Sequence, residues 1–222
     1  SDNKHTGGGG GGGSNSSSGK NSAISVIPSV DGTKTDATIT DMFEDLDSVP
    51  WAKESINALA KKGIVAGKAE YTFAPKDEVT REEFVKLLVS ALKIDCAGKN
   101  CDFDDLTQDH WAYSYIAGAY QNDLIKGVSD VFFGIGSKIT REDMAVIVYR
   151  ALESKGLIQK SEPHSFADSG DIASYAADAV GTIAAMGIMN GVGDNQFLPK
   201  AYATRAEAAK IIYDMMTLVE AE

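Results

Sequence analysis

Thr80-Arg81-Glu82-Glu83, Thr140-Arg141-Glu142-Asp143 and Thr204-Arg205-Ala206-Glu207 are three versions of one short stretch, and their reading decides the fold. Each opens an apolar run at i, i+3, i+4 and i+7: Phe84, Leu87, Leu88 and Ala91; Met144, Ile147, Val148 and Ala151; Ala208, Ile211, Ile212 and Met215. That spacing is one stripe of an α-helix. Thr80, Thr140 and Thr204 are expected N-caps, and Glu83, Asp143 and Glu207 are expected to complete capping boxes, satisfying N–H groups that a helix leaves free. Capping does not explain the Arg. A cation in the first turn meets the positive end of the macrodipole and loses up to ~1 kcal/mol. Its recurrence in one register says that the position is kept for guanidinium chemistry. Arg81, Arg141 and Arg205 either tie two parts of the fold together or clamp an anion.

Outward from each Arg, the chain repeats itself. An aromatic precedes it by thirty residues (Trp51, Trp111, Tyr175), a glycine by fourteen (Gly67, Gly127, Gly191), an acid by eleven (Glu70, Asp130, Asp194) and a phenylalanine by eight (Phe73, Phe133, Phe197). A further Phe opens each unit, at Phe43, Phe103 and Phe166, and Asp45, Asp105 and Asp168 follow as expected turn formers or caps. Between aromatic and glycine runs a second amphipathic helix, on Ala52, Ile56, Leu59 and Ala60; Ala112, Ile116, Ala119 and Tyr120; and Ala176, Val180, Ile183 and Ala184. These helices should stop near Gly63, Asp123 and Gly187, residues that tolerate a left-handed C′ conformation. Such self-similarity marks a repeat architecture. The expected fold is all-α, three helix–loop–helix repeats over 41–102, 103–165 and 166–222 sharing one core. Residues 1–40 carry the run Gly7 to Gly13 and are expected to form a Gly/Ser-rich flexible linker, with 23–40 open between a short strand and a trailing segment.

The totals exclude several classes. A net charge of −11 over 222 residues argues against nucleic acid, which needs a basic stripe, and against anionic membrane surfaces. No apolar run approaches the ~20 residues needed to span a bilayer, so membrane insertion is not expected. The chain opens Ser1-Asp2-Asn3 without Met or a signal-like segment and reads as a piece of a longer protein or a processed chain. Cys96 and Cys101 are either two free thiols or, in an oxidising compartment, a small disulfide loop. Two thiols alone make no zinc site, no calcium loop is present, and neither metal nor cofactor is expected. His5, His110 and His164 sit in unrelated registers, and no nucleophile elbow, phosphate loop or catalytic carboxylate pair stands out, so the chain does not read as an enzyme.

The candidate site therefore lies in the repeated positions. Arg beside a helix N-terminus suits a carboxylate or phosphate. Trp51, Trp111 and Tyr175 are either core residues or walls of a partly wet groove. Gly67, Gly127 and Gly191 are expected at turns needing positive φ, with close approach to a ligand as the functional alternative, and Asp130 and Asp194 join them as candidate ligand contacts. The second loop departs from the others: Phe133-Gly134-Ile135-Gly136 stands where Phe73-Ala74-Pro75 and Phe197-Leu198-Pro199 carry Pro.

Phe-x-Asp-Leu, Trp-Ala, Gly-Ile-Val-x-Gly, Phe-x-Pro and Val-Thr-Arg-Glu-Glu together resemble the S-layer homology (SLH) repeat, three times over residues 43 to 217. The resemblance implies a pseudo-threefold helical bundle with grooves between neighbouring repeats. It implies an exported, secreted module that anchors a protein to the cell wall or S-layer at the cell surface of Gram-positive-type bacteria. The implied partner is secondary cell wall polysaccharide, often bearing pyruvate ketals on N-acetylmannosamine, and the implied architecture includes an attached functional domain outside this chain. The family's Thr-Arg-Ala-Glu motif maps onto 80–83, 140–143 and 204–207, with Glu82 and Glu142 replacing Ala in two of them, so the three grooves are not expected to bind equally. The rival reading is a cell-surface protein–protein module that recognises carboxylates with the same Arg residues.

Overall fold

Six α-helices, two per repeat, carry the described part of the chain, residues 41–159 and 162–221 of a computed structural model, with no strand or sheet among the described residues. They are α1 (Pro50–Lys61), α2 (Arg81–Leu92), α3 (Tyr113–Gln121), α4 (Arg141–Ser154), α5 (Ala177–Ala185) and α6 (Arg205–Glu220). The expected linker over 1–40, including 23–40, lies outside the described residues.

Each repeat supplies helix, long loop and helix, as the register implied. The two helices of one repeat are not each other's main partners. Instead α2 packs on α3, α4 on α5, and α6 closes back on α1. The second helix of every repeat thus meets the first helix of the next, and the chain closes into a pseudo-threefold bundle. A ring of backbone bonds marks the axis. Val79 N–H donates to the Ala203 carbonyl (3.0 Å), Ala203 N–H to Ile139 (3.0 Å), and Ile139 N–H to Val79 (3.1 Å). One bond outward the pattern recurs: Arg81 N–H reaches the Ser137 carbonyl, Arg141 that of Ala201, and Arg205 that of Asp77. These are first-turn N–H groups that α2, α4 and α6 cannot satisfy internally.

The caps follow the sequence in two repeats of three. Thr80 and Thr204 accept from the N–H of Glu83 and Glu207, whose carboxylates accept in return from the Thr N–H, both at 2.8 Å. Thr140 accepts from Asp143 N–H, but the expected capping box is incomplete. Asp143 is one methylene shorter, and its carboxylate takes the Tyr175 hydroxyl instead (2.8 Å). The first helices end where expected, with Gly63, Asp123 and Gly187 at φ 69°, 57° and 72°.

The apolar stripes meet in one core. Phe73, Phe133 and Phe197 are wholly buried, and each packs on the Phe that opens its unit, at ring separations of 5.3, 5.8 and 5.1 Å. Tyr120 departs from its expected buried place; it is exposed and lays its ring edgewise on Phe103. The thiols of Cys96 and Cys101 are free, so the possible disulfide is not formed. Cys96 Sγ contacts the Ile94 carbonyl and sits over Gly118 of α3, where a Cβ would lie 2.5 Å from it. The Cys101 backbone, by contrast, is held by the Tyr113 hydroxyl.

Candidate functional site

The loop between the two helices of each repeat is shaped by an aspartate. Asp45, Asp105 and Asp168, expected as local turn formers, act across the unit. Asp45 accepts from Phe73 and Ala74 N–H (2.9 and 2.7 Å), and Asp168 from Phe197 and Leu198 (2.8 and 2.7 Å). Asp105 accepts from Phe133, Gly134 and also Ile135 (2.8, 2.7 and 2.9 Å). The third bond exists because Ile135 has an N–H where Pro75 and Pro199 have none. The anchored residue after each Phe is left-handed, at φ 58° for Ala74, 94° for Gly134 and 56° for Leu198. Burial raises the carboxyl pKa of Asp105 and Asp168, but the backbone donors outweigh it and hold both below the usual aspartate range.

Gly67, Gly127 and Gly191 are needed for room rather than for positive φ, which none of them adopts. A Cβ on Gly67 would lie 2.6 Å from the Ala69 carbonyl and 2.7 Å from the Phe43 ring; on Gly127 it would lie 2.3 Å from the Ser129 carbonyl, and on Gly191 2.7 Å from that of Gln196. The preceding residue of each loop presents its carbonyl to an Arg from a different repeat.

That contact gives Arg its first role. Arg81 donates from Nε to the Phe133 carbonyl (3.1 Å) and from Nη2 to that of Lys126 (2.8 Å). Arg141 does the same to Phe197 and Asn190 (2.8 and 2.8 Å), and Arg205 to Phe73 and Ala66 (3.0 and 2.8 Å). Each guanidinium also stacks on the Phe whose carbonyl it holds, at 5.3, 4.9 and 4.5 Å. So Arg81 ties repeat one to the loop of repeat two, Arg141 repeat two to repeat three, and Arg205 repeat three to repeat one. Of the two alternatives left by the sequence, the tie is present in all three repeats. Arg81 and Arg141 are buried and Arg205 half-buried; burial lowers all three pKa values, yet guanidinium remains charged.

The third nitrogen faces carboxylates on the neighbouring second helix. Arg141 Nη1 pairs with Glu207 at 2.5 Å, and Arg81 Nη1 lies 3.7 Å from Asp143. Here the grooves open. The one between repeats two, three and one encloses about 470 Å³ and is lined by Trp51, Arg141, Gly191, Glu207, Lys210 and Asp214. Trp51, Trp111 and Tyr175 are not core residues: they are 52 %, 50 % and 60 % exposed, which fits the alternative of a groove wall. Trp111 and Tyr175 hold the corresponding positions of the repeat, Trp111 in register with Arg205 and Gly67, and Tyr175 with Arg81 and Gly127; the Tyr175 hydroxyl donates to Asp143, the acid that faces Arg81. Asp130 and Asp194 are exposed in the loop turns, and Asp194 is not among the residues lining the Trp51 groove.

Two groove residues escaped the motif reading. Lys210 and Lys86 stand five residues after Arg205 and Arg81, where Val146 follows Arg141. Extending the register comparison one turn into the helix would have found them. Glu82 and Glu142 are buried ties between repeats: Glu82 accepts from Gly136 N–H (3.2 Å), while Glu142 accepts from Ala173 N–H (2.9 Å), Lys200 and the Tyr175 hydroxyl. Among the described residues there is no group of three or more His, Cys, Asp or Glu placed to hold a metal. No helix among them is long and apolar enough to cross a membrane.

The profile of the S-layer homology domain matches residues 43–85, 102–145 and 165–209. An endoglucanase from Bacillus sp. (strain KSM-635) is 32% identical over 176 residues, 78% of this chain and 18% of that protein. The S-layer protein sap of Bacillus anthracis is 31% identical over 172 residues, 77% of this chain and 20% of its own. A cellulosome-anchoring protein of Acetivibrio thermocellus is 31% identical over 144 residues, 63% of this chain and 32% of its own. The chain thus spans a third or less of each of these relatives.

Proposed function

The chain belongs to the S-layer homology domain family, and from that premise we propose that it is a non-covalent cell-wall anchor that binds pyruvylated secondary cell wall polysaccharide in its inter-repeat grooves. The observation that carries the reading is a half-exposed aromatic ring in one groove with a guanidinium that backbone carbonyls hold rigid, Trp51 with Arg141, and the same residue types stand in register in the other two repeats. A pyruvate ketal is a carboxylate on a sugar ring. The carboxylate takes a preorganised cation, and the sugar's apolar face takes an indole or phenol. Preorganisation matters because the net charge of −11 repels an anionic polymer at long range, so binding relies on contacts inside the groove. Any second groove that engages the same polymer adds avidity beyond the affinity of a single groove.

The anchored protein stands at the cell surface, and the long relatives fit a further functional domain attached to this module. Co-sedimentation with purified walls, before and after acid extraction of the polysaccharide, tests the proposal. Binding should disappear with the polysaccharide. Binding that survives extraction but is lost when the wall is treated with protease would replace it with the protein–protein reading.

A further inference from the structure

The three grooves share a plan but differ in how their cations are paired. In the groove under Trp51, Arg141 is matched by Glu207 at 2.5 Å and Lys210 by Asp214. In the groove under Tyr175, Arg81 faces Asp143, and the Tyr175 hydroxyl donates to Asp143 (2.8 Å) and Glu142 (3.3 Å). Val146 takes the Lys position there, and the second cation is Arg150, close enough to depress the Arg81 pKa. Burial and then these carboxylates push the Tyr175 hydroxyl far up, so it stays protonated and bonded across the groove.

The groove under Trp111 is different. Its cations are Arg205 and Lys86, and neither is in an ion pair with a described carboxylate. Glu83, Asp77 and Asp45 lie near enough to raise the Arg205 pKa through space, but none forms an ion pair with it and each also holds another partner. Glu83 caps its own helix through Thr80 N–H, Glu82 holds Gly136 N–H, Asp45 holds Phe73 and Ala74 N–H, and Asp77 pairs with Lys68 at 2.5 Å. Lys86 Nζ donates only to the Ile64 carbonyl (2.9 Å). Its pKa is lowered by burial and then by Arg205, so two cations repel each other in a partly dry groove. The position opposite Asp214 is Ser90, which adds no acid.

We propose that the groove under Trp111 is the anionic-ligand site of this chain, with Arg205 and Lys86 closing on one ligand carboxylate, and that the Tyr175 groove is shut by its own hydroxyl. The proposal rests on the polysaccharide reading and goes further by assigning one groove and a second cation. A single anion there meets two cations that no carboxylate ion-pairs, whereas in the Trp51 groove it must displace two carboxylates.

The chain holds two tryptophans, Trp51 and Trp111, so fluorescence can report each groove separately. Trp51→Phe leaves Trp111 as the reporter in its intact groove, and Trp111→Phe leaves Trp51. Both rings are half-exposed, and circular dichroism verifies that each variant folds. Titration with a pyruvyl ketal of N-acetylmannosamine, with unmodified N-acetylmannosamine as control, should change Trp111 emission saturably and leave Trp51 emission unchanged over the same range. Lys86→Gln in the Trp51→Phe background should weaken the Trp111 response at least about tenfold, the scale of one charge-assisted contact, while Lys86→Arg retains it. Equal responses from both tryptophans, or a Trp51 response alone, overturn the groove assignment and leave the polysaccharide reading standing. No response from either, with no heat of binding from the parent protein, overturns the carboxylate-sugar reading and the assignment with it.

Discussion

Arg205→Ala should destabilise the fold, because the side chain is first a clasp between repeats three and one. Its Nε and Nη2 hold the Phe73 and Ala66 carbonyls at 3.0 and 2.8 Å, and its plane stacks on Phe73 at 4.5 Å. Hydrogen bonds to a charged group contribute ~1.5–3 kcal/mol each, and the stacking adds roughly 1 kcal/mol. Against this, Arg205 is half-buried, so water reaches part of the site once the side chain is gone. Removing a cation from a helix N-terminus also returns up to ~1 kcal/mol. The balance is a loss of about 3 kcal/mol. For a domain of this size that lowers Tm by roughly 6–12 °C. Arg205→Lys keeps the charge but cannot fork two carbonyls, and should lose about 2 kcal/mol. Thermal and urea unfolding of the two variants beside the parent measure this. A fall in Tm below about 2 °C for Arg205→Ala would refute the clasp.

Other expectations follow from single contacts. Gly118→Ala should destabilise by about 1–2 kcal/mol through crowding of Cys96 Sγ, although Ala is the better helix former; in a Cys96→Ala background the same change should turn neutral or stabilising, as unfolding of the double mutant will show. The folded-state pKa values of Asp105 and Asp168 are depressed, so their contribution is complete above about pH 4, where the unfolded chain also ionises, and is lost as pH falls through the lower folded values. Asp105→Asn should therefore flatten the acid limb of a stability–pH curve relative to the parent. Both cysteines should alkylate without reductant once unfolded, giving two adducts by intact mass, and react slowly in the native state because burial raises both thiol pKa values.

The sequence carried the helices because their reasons are local. Thr caps, apolar stripes and C′ glycines all act within a turn or two. The Arg role was legible only as a choice, since its carbonyl partners lie as far off as 139 residues along the chain for Arg205 and Ala66. The same holds for Asp45 and its sisters, whose partners are 28 to 30 residues away and whose value lies in shaping a left-handed backbone. Glycine at 67, 127 and 191 looked like a turn residue from its neighbours alone; the clash that demands it comes from carbonyls folding back over it. The pairing of second helix with the next repeat's first helix was hidden for a related reason. Amphipathic stripes say that a face is buried and not what buries it. Trp51, Trp111 and Tyr175 were ambiguous because the same ring serves a core or a groove, and only exposure decides.

Wall binding by a variant carrying Trp51→Ala, Trp111→Ala and Tyr175→Ala tests the account most directly. The rings are half-exposed, so Tm should stay within about 5 °C of the parent while co-sedimentation with polysaccharide-bearing walls is lost. Undiminished co-sedimentation of that folded variant would contradict the claim that the inter-repeat grooves hold the polysaccharide.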